Sequence, residues 1–456
     1  MAQQFQDQGG AATSNPSRFM RWSVSKLMTR ASDPANLVKK REKAEKKRLD
    51  AGLPHTVEYF HQVEDGYSHL AAQVLTKLVA RYDIQLVCHL VTGPTGRNVA
   101  EPELLLQLSR YDSARVAPEY GLAFPGQDAP GSELVSLAER ILAAQEDAAF
   151  AAAAAPVGEA LWRGDRAALE RLAQELGSAD ATTTSARIEA GSARRTELRH
   201  YSGAMFYYAS EWYWGVDRLY HLEKRLAALD ADREPGTEML VPRPPIETGP
   251  LRDDGSLTLE IYPSLRSPYT SISFDRAVHL AEETGVRLVV RPVLPMVMRG
   301  VPATRQKGMY IFTDTAREAR EAGVPYGRFY DPIGEPARQA YSLYPWACEQ
   351  GRGNELLSAF LKCAFAEGVN TNTRRGLRKV VEKAGLDWAE AQQHLGEPGW
   401  EDILENNRLA MYESGLWGVP SFRLLDSGGE EILALWGQDR LWLFARAIQR
   451  QLAART

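Results

Sequence analysis

Residues 257–293 read LTLEIYPSLRSPYTSISFDRAVHLAEETGVRLVVRPV. The pattern predicts a strand over residues 257–262, a helix over 271–284 and a strand over 286–293. A strand, a helix and a second strand in this order form a βαβ unit, in which the strands are parallel and the crossover is right-handed. We therefore expect a parallel pair of strands at the centre of an α/β domain.

A second βαβ unit is predicted at residues 57–91. An alternating, aromatic strand at 57–61 precedes a helical pattern at 67–82 and an apolar strand at 84–91. The same order of elements therefore occurs near the start of each half of the chain.

The two halves repeat one another. The two βαβ stretches align without a gap, so that Tyr67 falls on Tyr269. Further on, WGVDRL at residues 214–219 aligns with WGQDRL at residues 436–441. Matches at both ends, in the same order, favour an internal duplication over chance.

Each half is also predicted to contain a helical insertion, a hairpin and a closing helix. These elements are expected at about 100–176, 206–214 and 217–226 in the first half, and at about 302–416, 421–435 and 439–452 in the second. The small, polar residues 178–196 are predicted to form a loop. The order βαβ, helices, ββ, α is that of a thioredoxin fold interrupted by helices. The predicted fold class is α/β, with two tandem thioredoxin-like domains that each carry a helical insertion.

Four segments are predicted from composition: an N-terminal arm at 1–54, a first domain at 55–229, a linker rich in Pro and Gly at 230–256, and a second domain at 257–456. Residues 1–17 are polar and are predicted to be disordered. The basic remainder of the arm is compatible with a membrane surface, with RNA or with a solvated helix. The acidic balance of the rest of the chain favours the solvated helix.

Bulk properties exclude several classes of function. A length of 456 residues exceeds one typical core, and a net charge of -5 predicts no general affinity for nucleic acid. No apolar stretch approaches the ~20 residues that span a bilayer, so we expect no stable membrane insertion. The N-terminus lacks the apolar core of a signal peptide, which predicts a cytoplasmic protein. Cys88, Cys348 and Cys363 form no CxxC pair, and we predict no metal site.

Ser267 is the first candidate for chemistry. It precedes the predicted first helix of the second domain, in the motif Arg266-Ser267-Pro268-Tyr269. The N–H groups at a helix N-terminus favour an anion there. A serine followed by proline is equally typical of an ordinary helix cap.

Two further motifs follow in the second domain. Gly418-Val419-Pro420 precedes a predicted strand, a place where thioredoxin folds commonly have a cis proline. Asp439-Arg440 opens the last helix, where the carboxylate is suited either to a ligand's ammonium group or to capping the helix.

These three motifs, in this order, resemble those of 2-hydroxychromene-2-carboxylate isomerases and kappa-class glutathione transferases, which belong to the DsbA-like thioredoxin superfamily. The resemblance covers residues 257–450 well and 56–226 more weakly. It implies glutathione as cofactor and a hydrophobic, unsaturated aromatic acid as small-molecule substrate. The implied reaction is addition of the glutathione thiolate, leading to isomerisation or transfer.

The resemblance also implies roles for individual residues. Ser267 is implied to hydrogen-bond the glutathione sulfur. Val419 and Pro420 are implied to bind the cysteinyl part. The implied γ-glutamyl contacts are Gln438, Asp439 and Arg440, and the implied substrate pocket includes Tyr269, Lys307, Tyr310 and Trp417. The family's asparagine after Arg-Pro is absent, and Arg299 and Thr304 are candidates to replace it.

The first domain departs from the family pattern. Asp65-Gly66-Tyr67 stands where the second domain has Ser-Pro-Tyr, and Met205 stands in place of the proline. A carboxylate would repel a thiolate, so we expect that this domain has lost glutathione chemistry. It is expected to act as a built-in partner in an intramolecular pseudo-dimer, with a homodimer as the alternative.

Two other functions stay open at this point. One is a thiol–disulfide oxidoreductase that lacks CxxC, and the other is a non-catalytic binding or scaffold protein on the same fold.

Overall fold

The computed structural model describes residues 15–126, 128–301 and 304–455, and for Arg97 it describes the backbone alone. Residues 1–14, where disorder is predicted, lie outside the described residues. The chain divides into two compact units. The N-terminal unit is Val38–Pro244, and the C-terminal unit is Pro245–Thr456 with the segment that ends at Leu37. The segment predicted as one N-terminal arm is therefore divided between the units.

Two helices come first in the chain, α1 (Arg18–Ser32) and α2 (Pro34–Asp50). The elements that follow in the N-terminal unit are β1 (Thr56–His61), α3 (Gly66–Ala72), α4 (Leu75–Arg81), β2 (Gln85–Leu90), α5 (Pro102–Val116), α6 (Ser132–Ala143), α7 (Asp147–Trp162), α8 (Arg166–Leu176), α9 (Ala181–Glu197), β3 (Met205–Tyr208), β4 (Glu211–Trp214) and α10 (Gly215–Ala227).

The C-terminal unit continues with β5 (Thr258–Tyr262), α11 (Pro268–Thr284), β6 (Arg287–Val290), α12 (Arg305–Glu321), α13 (Glu335–Ser342), α14 (Tyr344–Glu349), α15 (Gly353–Phe365), α16 (Arg374–Lys383), α17 (Trp388–His394), α18 (Trp400–Glu413), β7 (Ser421–Leu425), β8 (Glu431–Trp436) and α19 (Leu441–Ala453). A single 3₁₀ turn, Gln438–Arg440, precedes α19.

Each unit contains a four-stranded sheet, with orders β2-β1-β3-β4 and β6-β5-β7-β8. In each sheet the two strands that come first in sequence, β1 and β2 or β5 and β6, pair in parallel, and the remaining pairs are antiparallel. The predicted α/β class is therefore confirmed, and the strands of both βαβ units pair in parallel as expected.

The central strand β5 is buried on both faces. Leu259 and Ile261 are fully buried, and Glu260 on the other face is 2% exposed. Such burial is typical of a parallel strand covered by helices on both sides. Glu260 is tolerated there because Arg291 Nε lies 2.6 Å and Arg423 Nη1 3.1 Å from its carboxylate.

The prediction of a loop at residues 178–196 is wrong, because Ala181–Glu197 form the 17-residue helix α9. The Asp180 carboxylate accepts a hydrogen bond of 2.7 Å from the Thr183 amide and caps the helix. Gly191 packs against β2, where an added Cβ would lie 2.1 Å from the Leu90 carbonyl oxygen. The weak helix formers of this segment are thus held by a cap and by packing.

The single helix predicted at residues 67–82 is in fact two short helices, α3 and α4. They are separated at Gln73-Val74, and the Gln73 side chain bonds to the Ala123 backbone through both its nitrogen and its oxygen. Among the described residues, no helix has the length and apolar character needed to cross a membrane.

Candidate functional site

Ser267 caps α11 and contacts the loop before β7. Its Oγ accepts a hydrogen bond of 3.2 Å from the Thr270 amide and donates one of 3.2 Å to the Val419 carbonyl. The side chain is 8% exposed. The capping interpretation of Ser267 therefore describes a real contact, and its role towards a glutathione sulfur stays a prediction.

The Val419–Pro420 peptide bond is cis. Pro420 is buried, whereas Val419 is partly exposed. Gly418 allows the loop to pass close to Trp436, since an added Cβ would lie 2.4 Å from that indole ring. The loop places a partly exposed backbone segment beside Ser267.

The Pro420 carbonyl accepts a hydrogen bond of 3.0 Å from the Gly437 amide. This contact brings the turn Gln438–Arg440 next to the cis-proline loop. Gln438 is 1% exposed, and its amide group bonds to Glu318 at 2.9 Å and to Arg276 at 3.4 Å. The Gln438 side chain thus holds the turn against the neighbouring helices, while Asp439 is the partly exposed member of the turn.

A polar contact that the sequence analysis missed joins α11 to α12. The Tyr269 hydroxyl donates a hydrogen bond of 2.7 Å to Asp314, which also pairs with Arg317 at 2.5 Å. In the N-terminal unit, the Tyr67 hydroxyl donates to Asp112 at the same distance. Both pairs are 45 residues apart in sequence, so extending the alignment of the two halves would have revealed them.

Among the residues predicted for the substrate pocket, Lys307 lies close to Trp417 and on the same helix as Tyr310. The Lys307 ammonium group is 5.8 Å from the centre of the Trp417 ring, and the Trp417 and Trp436 rings are 5.0 Å apart. Burial lowers the pKa of Lys307 by desolvating its ammonium group. Tyr310 is buried on α12, one turn from Lys307. Trp417 is 2% exposed, so its ring packs in the core and offers almost no surface to a ligand.

A family model described as the DSBA-like thioredoxin domain matches residues 258–449. This segment is a DsbA-like thioredoxin domain.

Among solved structures, the chain is similar to a probable DsbA oxidoreductase from Streptomyces coelicolor, with 22% identity, a TM-score of 0.35 and coverage of 44% of this chain and 92% of that chain. It is also similar to a 2-hydroxychromene-2-carboxylate isomerase, with 20% identity, a TM-score of 0.36 and coverage of 44% and 99%. No curated protein sequence matches the chain.

Arg299, a candidate replacement for the family's asparagine, folds back onto its own loop in the DsbA-like domain. Its Nε donates a hydrogen bond of 3.1 Å to the Leu294 carbonyl. Thr304, the other candidate, caps α12 by accepting a hydrogen bond of 3.2 Å from the Lys307 amide. Both side chains therefore make local contacts, and the Arg299 guanidinium also interacts electrostatically with Tyr412.

The cysteines of the chain are all free thiols. Burial raises the pKa of Cys88 well above its ordinary value and that of Cys363 to about 11. Cys348 is exposed, and partial desolvation raises the pKa of its thiol as well. Raised values leave the thiols protonated and poorly nucleophilic. Within the described ranges, no group of three or more His, Cys, Asp or Glu side chains is arranged to hold a metal ion.

The N-terminal unit has a carboxylate at the position of Ser267. Asp65 caps α3 and accepts hydrogen bonds from the Ser68 amide at 3.0 Å and from the Ser109 hydroxyl at 2.6 Å. The side chain is 8% exposed, and burial raises its pKa. The end of α3 is therefore already occupied by an acidic group of the protein itself.

Proposed function

We propose that the DsbA-like domain binds glutathione and acts as a glutathione-dependent isomerase or transferase on a hydrophobic, unsaturated aromatic acid. The observation that carries this proposal is the position of the Ser267 hydroxyl. It lies at the N-terminus of a 17-residue helix and within 3.2 Å of the carbonyl before the cis proline. A hydroxyl donor and a helix dipole at one point favour an anion such as a thiolate.

The residues of the domain fit two of the three parts of glutathione, the cysteinyl part with its sulfur and the γ-glutamyl part. Ser267 would turn its hydroxyl proton from the Val419 carbonyl to the sulfur. The Val419 backbone is exposed enough to pair with the cysteinyl part, and the Asp439 carboxylate suits the γ-glutamyl ammonium group. Arg440 is 3% exposed and donates to the Asp439 carbonyl at 3.3 Å, which fixes the turn.

When bound, glutathione would supply a sulfur nucleophile that adds to a conjugated double bond and, in the isomerisation, leaves again after rotation about the carbon–carbon bond. The residues of the protein bind and orient the acid. Tyr269 is partly exposed and would supply aromatic surface, whereas Tyr310 is buried on α12. The Trp417 indole backs the Lys307 ammonium group. Lys307 would pair with the carboxylate of the substrate, since an ammonium group in a partly apolar site attracts an anion strongly.

We further propose that the N-terminal unit is a second thioredoxin-like domain, produced by duplication, that has lost glutathione chemistry. The shared strand order and the shared tyrosine–aspartate bond support a common origin. Asp65 supports the loss, because a carboxylate at the helix N-terminus repels a thiolate.

The three protonated, separated thiols argue against a thiol–disulfide oxidoreductase.

Calorimetric titration of glutathione into the full chain tests the main proposal, with ultraviolet difference absorbance in the thiolate band as a second readout. The thiolate signal should be present in the wild type and absent in Ser267→Ala. Ser271→Ala is the matched control, because the Ser271 hydroxyl on the same helix bonds only locally, to the Pro268 carbonyl at 2.6 Å. No binding at millimolar glutathione would refute the proposal.

A further inference from the structure

Helix α1 has its polar and apolar faces reversed. Arg21, Ser25 and Ser32 are buried, at 1%, 2% and 5% exposure. The large apolar side chains point outward instead: Phe19, Met20, Trp22 and Leu27 are between 49% and 75% exposed. These four are among only nine large hydrophobic side chains that are exposed in the described part of the chain. An amphipathic helix of a soluble protein ordinarily buries the opposite face.

Hydrogen bonds fix this orientation of the helix. The Arg21 guanidinium donates to the carbonyls of Asp331 at 2.6 Å and Ile333 at 2.7 Å. The Ser25 hydroxyl accepts a hydrogen bond of 3.0 Å from the Asp331 amide, and Ser32 donates one of 3.0 Å to the Gly327 carbonyl. Turning the apolar face inward would leave these buried polar groups without partners, which is costly. The exposed apolar face is therefore a stable feature of the unit.

The exposed face is also purely cationic in its charge. Residues 15–32 contain no Asp or Glu, and Arg18, Lys26 and Arg30 are exposed among the apolar side chains. The whole chain, in contrast, carries a net charge of -5. Aromatic side chains between cations on one helix face are typical of helices that lie in a membrane interface.

We propose that helix α1 docks the protein on an anionic lipid surface, with Phe19, Trp22 and Leu27 entering the interface and Lys26 and Arg30 contacting the headgroups. A second copy of the chain fits this face less well, because a two-fold contact would bring the same cations together. RNA fits less well, because Met20 and Leu27 offer no surface on which bases could stack. The proposal is independent of glutathione binding.

Vesicle co-sedimentation of the full-length protein tests this assignment. The wild type should bind vesicles of phosphatidylcholine with phosphatidylglycerol and should bind pure phosphatidylcholine weakly. Lys26→Glu/Arg30→Glu should weaken binding about 25-fold or more, because each cation near an anionic surface contributes about fivefold. Phe19→Ser/Trp22→Ser should weaken it about tenfold or more. All four side chains are exposed, so the fold is not at risk.

Leu176→Ser/Ile403→Ser is the matched control, since these exposed apolar residues lie on other helices and should leave binding unchanged. The absence of sedimentation with anionic vesicles would overturn the proposal, as would equal binding by the wild type and both α1 variants. Retention by single-stranded RNA, or dimer formation that the α1 substitutions abolish, in a protein that does not bind vesicles would assign the face to another partner and refute lipid docking.

Discussion

The Ser267 hydroxyl donates a hydrogen bond of 3.2 Å to the Val419 carbonyl, across 152 residues of sequence. The same oxygen accepts from the Thr270 amide and so caps α11. One side chain thus joins the first helix of the DsbA-like domain to the loop that contains the cis proline. Because Ser267 serves both the helix and the proposed ligand, the two roles must be separated by substitutions that keep one and remove the other.

Ser267→Asp makes this separation, because Asp65 shows that aspartate can cap the corresponding helix of the N-terminal unit. The new carboxylate should keep the cap but repel a thiolate. We expect unfolding free energy to fall by about 1 kcal/mol, through loss of the donor to Val419. Glutathione affinity should fall at least about tenfold below that of Ser267→Ala, which corresponds to about 1.4 kcal/mol.

Urea unfolding and calorimetric titration provide the two measurements. Equal glutathione affinities in Ser267→Asp and Ser267→Ala would show that charge at this position is irrelevant, and would contradict thiolate binding there.

The tyrosine–aspartate bonds offer a matched pair of substitutions. Tyr269→Phe and Tyr67→Phe each remove a hydrogen bond of 2.7 Å to a carboxylate. Each should lower the unfolding free energy by about 1 to 2 kcal/mol. Under the proposed function, only Tyr269→Phe should also weaken the binding of an aromatic acid, because the bond to Asp314 holds the Tyr269 ring in place in the proposed pocket, whereas Tyr67 lies in the unit with the blocked helix end. Cinnamate titration followed by tryptophan fluorescence checks this, and an equal effect of both variants on binding would contradict it.

The strands could be predicted from the sequence because they depend on local patterns. The alternation around Glu58 and around Glu260 predicts a strand in each half, and the structure has β1 and β5 there. The motif at Ser267 also predicts the start of α11, because a serine followed by proline is a strong local signal for a helix start.

Features that depend on contacts between residues far apart in the chain could not be predicted from the sequence. The ion pairs of Glu260 with Arg291 and Arg423 join residues 31 and 163 positions apart, and no local pattern reveals them. Helix α9 is stabilised by packing against β2 rather than by the helix propensity of its residues. The outward apolar face of α1 likewise depends on buried partners of Arg21 that lie 310 and 312 residues away.

Gly191→Ala tests the packing of α9. The new Cβ would meet the Leu90 carbonyl oxygen at 2.1 Å, so the helix must shift away from β2. We expect a loss of about 2 kcal/mol of unfolding free energy, as is usual for overpacking. Ala190→Ser, at the exposed neighbouring position, should change stability by less than about 0.5 kcal/mol. Chemical denaturation measures both, and a stabilising effect of Gly191→Ala, as expected for an exposed helix, would contradict the packing.

Lys307 gives the proposed site a dependence on pH. Burial lowers the pKa of its ammonium group, so the positive charge is lost as pH rises through a value below the ordinary one. Cinnamate affinity should therefore fall as the pH is raised towards 10, and Lys307→Met should lower it at neutral pH, with the difference from the wild type closing as the pH rises. Lys307→Arg should keep affinity at high pH, since arginine stays charged. A flat pH profile shared by all three proteins would show that Lys307 does not bind the acid.

Glu58 should make the unfolding free energy of the N-terminal unit depend on pH in the acidic range. Burial alone would raise the pKa of Glu58, but hydrogen bonds from Arg194 and His89 outweigh it and hold the pKa at about 2. A carboxyl with a lowered pKa stabilises the folded state above its ordinary pKa of 4.5, and this contribution is lost as pH falls from about 4.5 to about 2.

Glu58→Gln should therefore lower the unfolding free energy by about 2 kcal/mol at pH 7 and by progressively less below pH 4.5. Glu197→Gln is the control, because this partner of Arg194 is 68% exposed and should matter little. Urea unfolding across this pH range measures the difference, and a constant gap between wild type and Glu58→Gln would contradict the role of the ion pair.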